Sequence, residues 1–248
     1  MTEDASADKA SATWDQFGPE YDQPSYYGPV KTYAIASMPR SGSHMLGHML
    51  WSTGSLGSPL EYIHPKHLAT WQRLLGTASP ADTIREVKSK RTSANGWFGF
   101  KAHWPHFDRT RHDDELMSEL DVQSWIRITR RDVVSQAVSL VIARQTKAWI
   151  SFHEASGEPV YDFESIQGAV DDLTKQEEAW DAYFRESGID PLVVVYEDML
   201  ADQPGVVAAV ARALGVRVPD SIPPSRTERQ ATSLNREWRE RYLSEQEG

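Results

Sequence analysis

The sequence predicts a three-layer α/β domain built on a mostly parallel sheet. Four short apolar runs bounded by polar or turn residues read as buried strands: "VKTYAIAS" (30–37), "GWFGFKAH" (96–103), "VQSWIRIT" (122–129) and "PLVVVYED" (191–198). Helical patterns lie between and after them, and strands alternating with helices pack as a sheet covered on both faces. Three polar clusters, "MPRSGS", "KAHWPH" and "TRRD", fall at the ends of the first three runs. Sheets of this kind bind ligands at the C-terminal ends of their strands, so the three clusters can meet in one cleft.

Taken in order, residues 1–30 are polar and rich in Ala, Ser, Asp, Tyr and Pro, and read as a loosely ordered arm. Trp14, Phe17, Tyr26 and Tyr27 are the side chains that could pin it to the rest. Residues 31–248 read as one domain. The first strand leads into a helix at 43–53, which Gly54 is placed to terminate. Helices at 67–75 and 80–90 precede the second strand. Asp132 stands as the N-cap of a helix at 132–148 after the third. A long helix at 163–187 leads to the fourth strand. Helices at 203–214, closed by Gly215, and at 232–246 complete the chain.

Composition narrows the function. Of 248 residues, 40% are hydrophobic and 25% charged, and the formal net charge is −10. An acidic chain is a poor nonspecific binder of nucleic acid, which needs a basic face, but a local basic cleft still suits a small anion. There is no cysteine, so thiol catalysis, thiolate metal sites and disulfides are excluded. The N-terminus is acidic without an apolar centre, and no apolar run approaches the about 20 residues of a membrane span. A soluble cytoplasmic protein is the expectation.

The loop after the first strand offers the backbone N–H groups of Arg40 to Ser43, two hydroxyls and a guanidinium, followed by the positive end of a helix dipole. Together these make a phosphate cradle. The alternative is an ordinary strand–turn–helix connection with a serine N-cap. A nucleoside-triphosphate loop carries a lysine after its last glycine; His44 stands there instead, so no polyphosphate–magnesium site is indicated. A second grip is available where Arg130 leaves the third strand, with Ser135 on the first turn of the next helix and Ser139 on the second. Its bland alternative is a surface Arg–Asp pair worth little. Two anion grips without the kinase lysine fit a nucleotide bearing both a 5′ and a 3′ group.

The segments "AIASMPRSGSHML", "STGSLGSPLEYI", "GWFGFKAHW", "RRDVVSQAVSLVIARQTKAW" and "RQATSLNREWRERY" occur in order across residues 30–245. In them the chain resembles the Stf0-type bacterial sulfotransferases. The resemblance implies a P-loop NTPase-like sulfotransferase fold, and as donor PAPS (3′-phosphoadenosine 5′-phosphosulfate), which leaves as PAP. It assigns the 5′-phosphosulfate to residues 38–43, including Pro39, Arg40, Ser41, Gly42 and Ser43. The 3′-phosphate goes to Arg130 with Ser135, or Ser139 as second choice, and Arg229 closes over the nucleotide. It implies no metal, and mutual exchange of acceptor loops in a homodimer.

Glu61, just beyond Pro59, matches the glutamate that serves the family as catalytic base. Spacing alone equally allows a solvated surface carboxylate. A base partly shielded from water is expected to have a raised pKa. Arg40 would neutralise charge on the leaving phosphate, with Lys101 adding more. Trp104 would stack on an acceptor or close the core. His64/His67 and His103/His106 are each three apart, but Pro65 and Pro105 interrupt both stretches and neither is a helical metal pair. His64 and His106 are candidates to contact the acceptor or to serve as an alternative base. The sugar-contacting glutamine that precedes the loop arginine in founding, trehalose-sulfating members is Pro39 here, and the stretch between Glu61 and Lys101 is shorter. The acceptor is therefore left as a sugar, glycolipid precursor or secondary metabolite. A small-molecule kinase and a non-catalytic nucleotide-binding protein remain as alternatives.

Overall fold

In a computed structural model, residues 15–149, 156–217 and 233–247 are described. The four expected strands form one sheet: β1 (Lys31–Ser37), β2 (Trp97–His103), β3 (Val122–Thr129) and β4 (Leu192–Val195), in the order β2-β1-β3-β4 and all parallel. Alternation along β1 builds two cores. Ala34 and Ala36 face one side with Phe98, Phe100 and Trp125, whereas Tyr33 and Ile35 face the other with Leu46, Met49, Ile126 and Val194. Helices cover both faces, as the three-layer expectation requires. They are α1 (Ser43–Ser52), α2 (Pro65–Leu75), α3 (Pro80–Arg91), α4 (Trp104–Thr110), α5 (Asp114–Leu120), α6 (Val133–Thr146), α7 (Phe163–Ser187), α8 (Tyr196–Ala201), α9 (Gln203–Ala213) and α10 (Ser233–Gln246).

Two differences from the sequence reading have local causes. The connection from β2 to β3 holds two short helices, α4 and α5. Pro105 stands in the first turn of α4, where its missing N–H costs nothing. Asp113 caps α5 by accepting from the Leu116 N–H at 3.0 Å. The fourth strand stops at Val195 rather than residue 198, because Tyr196, Glu197 and Asp198 begin α8 and put two acids on its first turn.

Of the N-terminal arm, residues 15–30 are described, and Trp14 lies outside them. A single 3-10 turn, Pro19–Tyr21, buries the Tyr21 ring. Its carbonyl accepts from Ser58 Oγ at 2.6 Å. Arg91, buried at the end of α3, donates to the Gly18 carbonyl (3.0 Å) and pairs with Asp22 (3.2 Å).

The segment after α1 matters most for position. Leu60 makes a parallel bridge to Phe100 at the β2 edge, and its carbonyl accepts from the Lys101 N–H at 2.9 Å. Glu61 is thereby laid beside the C-terminal half of β2. The β1–β2 register sets Ile35 opposite Lys101 and Ser37 opposite His103. Lys101 and His103, two apart, leave the same face of the sheet.

Candidate active site

The loop after β1 is bent into an anion cradle. Arg40 and Gly42 both adopt the left-handed region (φ 63° and 89°). Such a conformation is ordinary for glycine and strained for arginine. It turns the amides that follow along the N-terminus of α1, which no side chain caps. Ser41 is fully buried, and its Oγ has no hydrogen-bond partner among the described residues. Gln136 of α6 steadies the loop by donating from Nε2 to the Pro39 carbonyl at 2.7 Å.

Arg130 leaves the end of β3 and reaches the same loop. Its Nη1 donates to the Arg40 carbonyl at 3.3 Å, and its guanidinium lies over the Tyr196 ring at 4.7 Å. Arg40 donates from Nε to Ser139 Oγ at 2.9 Å and from Nη1 to the Trp149 carbonyl. Burial and then the neighbouring Arg130 charge pull Arg40 from 12.5 to about 10. Two half-buried arginines gathered at one loop make a pocket for an anion with more than one charge. Ser139 is thus built into the Arg40 grip. Ser135 serves the helix cap instead: its Oγ donates to Asp132 Oδ2 at 2.8 Å, and Arg239 of α10 donates to the same oxygen. Arg131 turns outward onto Asp198.

Glu61 sits across from the cradle, its side chain 17% exposed. Lys101 Nζ lies 3.0 Å and His103 Nε2 3.5 Å from Oε1, and His67 Nδ1 lies 3.9 Å from Oε2. Burial alone would raise this carboxyl. The Lys101 ammonium, 3.0 Å away, outweighs burial and holds it well below the usual carboxylate range. The raised pKa expected from shielding is therefore corrected, because the shield carries a cation in direct contact.

The imidazoles gather around this carboxylate. His64 stacks on His67 (4.2 Å between ring centres), and His106 meets His64 edge-on (4.3 Å). Trp104 packs edge-on against Trp180 at 5.0 Å, in the aromatic cluster of α4 and α7. Among the described residues no group of three or more His, Asp or Glu is arranged to hold a metal, and no helix is long and apolar enough to cross a membrane. Arg229 lies outside the described residues. The sequence reading overlooked Tyr196 and Gln136, which hold the loop in shape. Tyr196 could have been suspected from its place at the end of the fourth strand; nothing local marks Gln136.

The cluster carries a pH signature. Burial pushes both His103 and His106 down from 6.5 to about 4. Between those values the unfolded chain binds protons that the folded chain does not, so stability is full above 6.5 and declines as pH falls toward 4. Below about 4.5 the depressed Glu61 adds a loss of the same sign. Urea midpoints measured across this range should fall steadily with acidification. A flat profile would show that the imidazoles are not buried neutral.

The sequence profile of the Stf0 sulphotransferase family matches residues 106–245, more than half of the chain. The chain belongs to the Stf0 sulphotransferase family. Relatives of this Stf0 chain include the trehalose 2-sulfotransferase of Mycobacterium tuberculosis (strain Erdman), 29% identical over 87% of this chain and 96% of that protein. The trehalose 2-sulfotransferase of Mycolicibacterium smegmatis is 30% identical over 85% and 93%. Among solved structures, the sulfotransferase domain of a Synechococcus PCC 7002 olefin synthase aligns over 90% of this chain and 91% of that one, at 18% identity and a TM-score of 0.46. A sulfotransferase of M. tuberculosis H37Rv aligns over 86% and 71%, at 12% identity and a TM-score of 0.47. The matched profile includes Arg130, Ser135 and Ser139, whereas the cradle and Glu61 precede it.

Proposed function

We propose that this Stf0 sulfotransferase transfers the sulfuryl group of PAPS to a hydroxyl of a small-molecule acceptor, with Glu61 as the base. The observation that carries the reading is the convergence of Arg40 and Arg130 on the uncapped N-terminus of α1, with Glu61 and Lys101 beside it. The residues fit the donor: the orphaned Ser41 hydroxyl, the glycine at φ 89° and two guanidinium groups together ask for an anion with several oxygens. Arg40, Ser41, Gly42 and Ser43 would hold the 5′-phosphosulfate. Arg130 would hold the 3′-phosphate, with Ser139 favoured over Ser135 because Ser135 is committed to the cap of α6. When bound, PAPS supplies an electrophilic sulfur and a good leaving phosphate.

The chain's own part is to position and to balance charge. Arg40 places positive charge where negative charge grows on the leaving side, and Lys101 extends it toward the reacting centre. Glu61, already ionised, receives the acceptor's proton. A kinase reading loses ground at His44. Burial, and then Lys101, push that imidazole well below its ordinary range, so the position that carries lysine in a triphosphate loop is neutral here. The names of the curated relatives bring trehalose as the first acceptor to try. Pro39, with no hydrogen-bonding side chain, favours widening the search to other sugars, glycolipid precursors and secondary metabolites.

Two measurements test this. A panel of hydroxyl compounds that includes trehalose, incubated with PAPS, should yield a product heavier by one sulfuryl group. If ATP–Mg²⁺ binds and PAP does not, the reading fails in favour of a kinase. Arg130→Ala should weaken PAP about tenfold or more, the scale of a lost charge-assisted bond, yet barely affect adenosine 5′-phosphosulfate. Equal losses for both ligands would take Arg130 off the 3′-phosphate.

A further inference from the structure

The environment of Glu61 leaves a chemical question that rests on the reading above. A carboxylate held by an ammonium 3.0 Å away accepts a proton readily only if that proton can move on. The nearest ring nitrogen is His103 Nε2, 3.5 Å from the oxygen that Lys101 holds. The other side of the His103 ring decides its state. Nδ1 lies 3.0 Å from Ser37 Oγ, and the Ser37 hydroxyl donates its own proton to the Ala102 carbonyl at 3.1 Å. With that proton engaged, the oxygen facing Nδ1 is left as an acceptor, which favours the tautomer with the ring proton on Nδ1 and a lone pair on Nε2. A lone pair facing a carboxylate is an arrangement with room for one proton between two bases. Strand register builds it: Ser37 and His103 are paired across β1 and β2.

We propose that His103 is the terminal acceptor of the substrate's proton, acting through Glu61. As the acceptor's O–H bond breaks, its oxygen forms the new O–S bond. The S–O bond to the donor phosphate breaks, and the leaving phosphate takes the electron pair. The proton passes to Glu61 and comes to rest on His103 Nε2. The product state is an imidazolium beside a carboxylate, and it discharges to water during turnover. Glu61 thus returns to its ionised, Lys101-paired form within each cycle.

The surrounding groups suit this role. His103 is faced by Glu61, by Lys101 on its own strand, by His64 at the start of α2 and by His106 on α4. His67 and His44 face Glu61 from α2 and α1. Burial pulls His103 down from 6.5 to about 4, so the ring starts each cycle neutral at neutral pH and gives a received proton up to water easily.

His103→Gln places an amide N–H, which cannot accept a proton, near the position of the lone pair while filling the space. With whichever acceptor the compound panel selects, kcat should fall about 10²-fold, with KM for PAPS and calorimetric PAP affinity unchanged. The acid limb of the pH–rate profile should move to lower pH, because Glu61 alone is then left to accept the proton. A variant with the parent's kcat and acid limb would overturn the proposal. A second arm needs no acceptor. Nitrogen NMR of the full chain with ¹⁵N-labelled histidine, assigned by the signals missing in His103→Gln, should show Nδ1 protonated and Nε2 bare at neutral pH. A proton found on Nε2 there would overturn the proposal even if no hydroxyl compound is sulfated, an outcome that by itself would count against the transferase reading alone.

Discussion

Glu61→Gln is expected to reduce sulfuryl transfer by about 10²-fold or more, the scale of a lost general base, while PAP affinity stays within about threefold. The substitution keeps the shape and leaves a carbonyl oxygen to accept from Lys101 Nζ, so the β2 edge should hold its place. What disappears is the charge. Lys101 is only 5% exposed, and Glu61 is the carboxylate 3.0 Å from it, so some loss of thermal stability should accompany the loss of rate. The two effects separate by measurement. Calorimetry with PAP reports whether the Arg40–Arg130 cradle survives, and turnover at saturating PAPS reports the missing base. A variant that turns over like the parent would remove Glu61 from its role. One that loses PAP affinity in step with rate would mean that Glu61 shapes the cradle instead.

Gly42→Ala should damage the cradle itself. At φ 89° the residue already lies where an L side chain is strained, at about 1–3 kcal/mol. Its added Cβ would stand 2.4 Å from Tyr196 Cδ2 and 2.9 Å from Cε2, with Met199 Cε at 3.1 Å. The ring cannot retreat freely, since the Arg130 guanidinium rests on it. Either the loop opens or Tyr196 moves and takes Arg130 along. The melting temperature should drop by several degrees, at about 2–4 °C per kcal/mol for a chain of this size, and PAP should bind at least about tenfold more weakly. A Gly42→Ala protein that melts and binds PAP like the parent would show that the tight turn is not what forms the anion site.

The strained Arg40 belongs to the same picture. A non-glycine residue at φ 63°, in a loop steadied by Gln136 and Ser139, is backbone strain held by its surroundings. Its result is a loop at which two arginines gather, the Arg130 guanidinium donating to the Arg40 carbonyl.

Much of this was legible from residue order. Apolar runs and their turn residues located four strands and most of the helices, since burial of a two-sided sheet imposes that pattern on any chain that forms one. The polar clusters at strand ends pointed to the cleft, and the place of Arg130 at the end of the third strand singled it out for a second anion contact. The helices α4 and α5 escaped because each is a two-turn element set by a proline or a capping aspartate rather than by a long apolar period. Gln136 and Tyr196 escaped because their roles depend on partners 97 positions away in one case and on the Gly42 backbone in the other.

The order of residues alone determined the parallel α/β architecture, the family and the shortlist of charged groups, all of which depend on local pattern and short-range spacing. Tertiary structure alone decided the protonation chemistry. Whether Glu61 is raised or lowered, which serine joins Arg40, and which groups face His103 all depend on distances across strands and between distant segments. Coulomb and hydrogen-bond energies follow separation in space, and separation along the chain does not determine it.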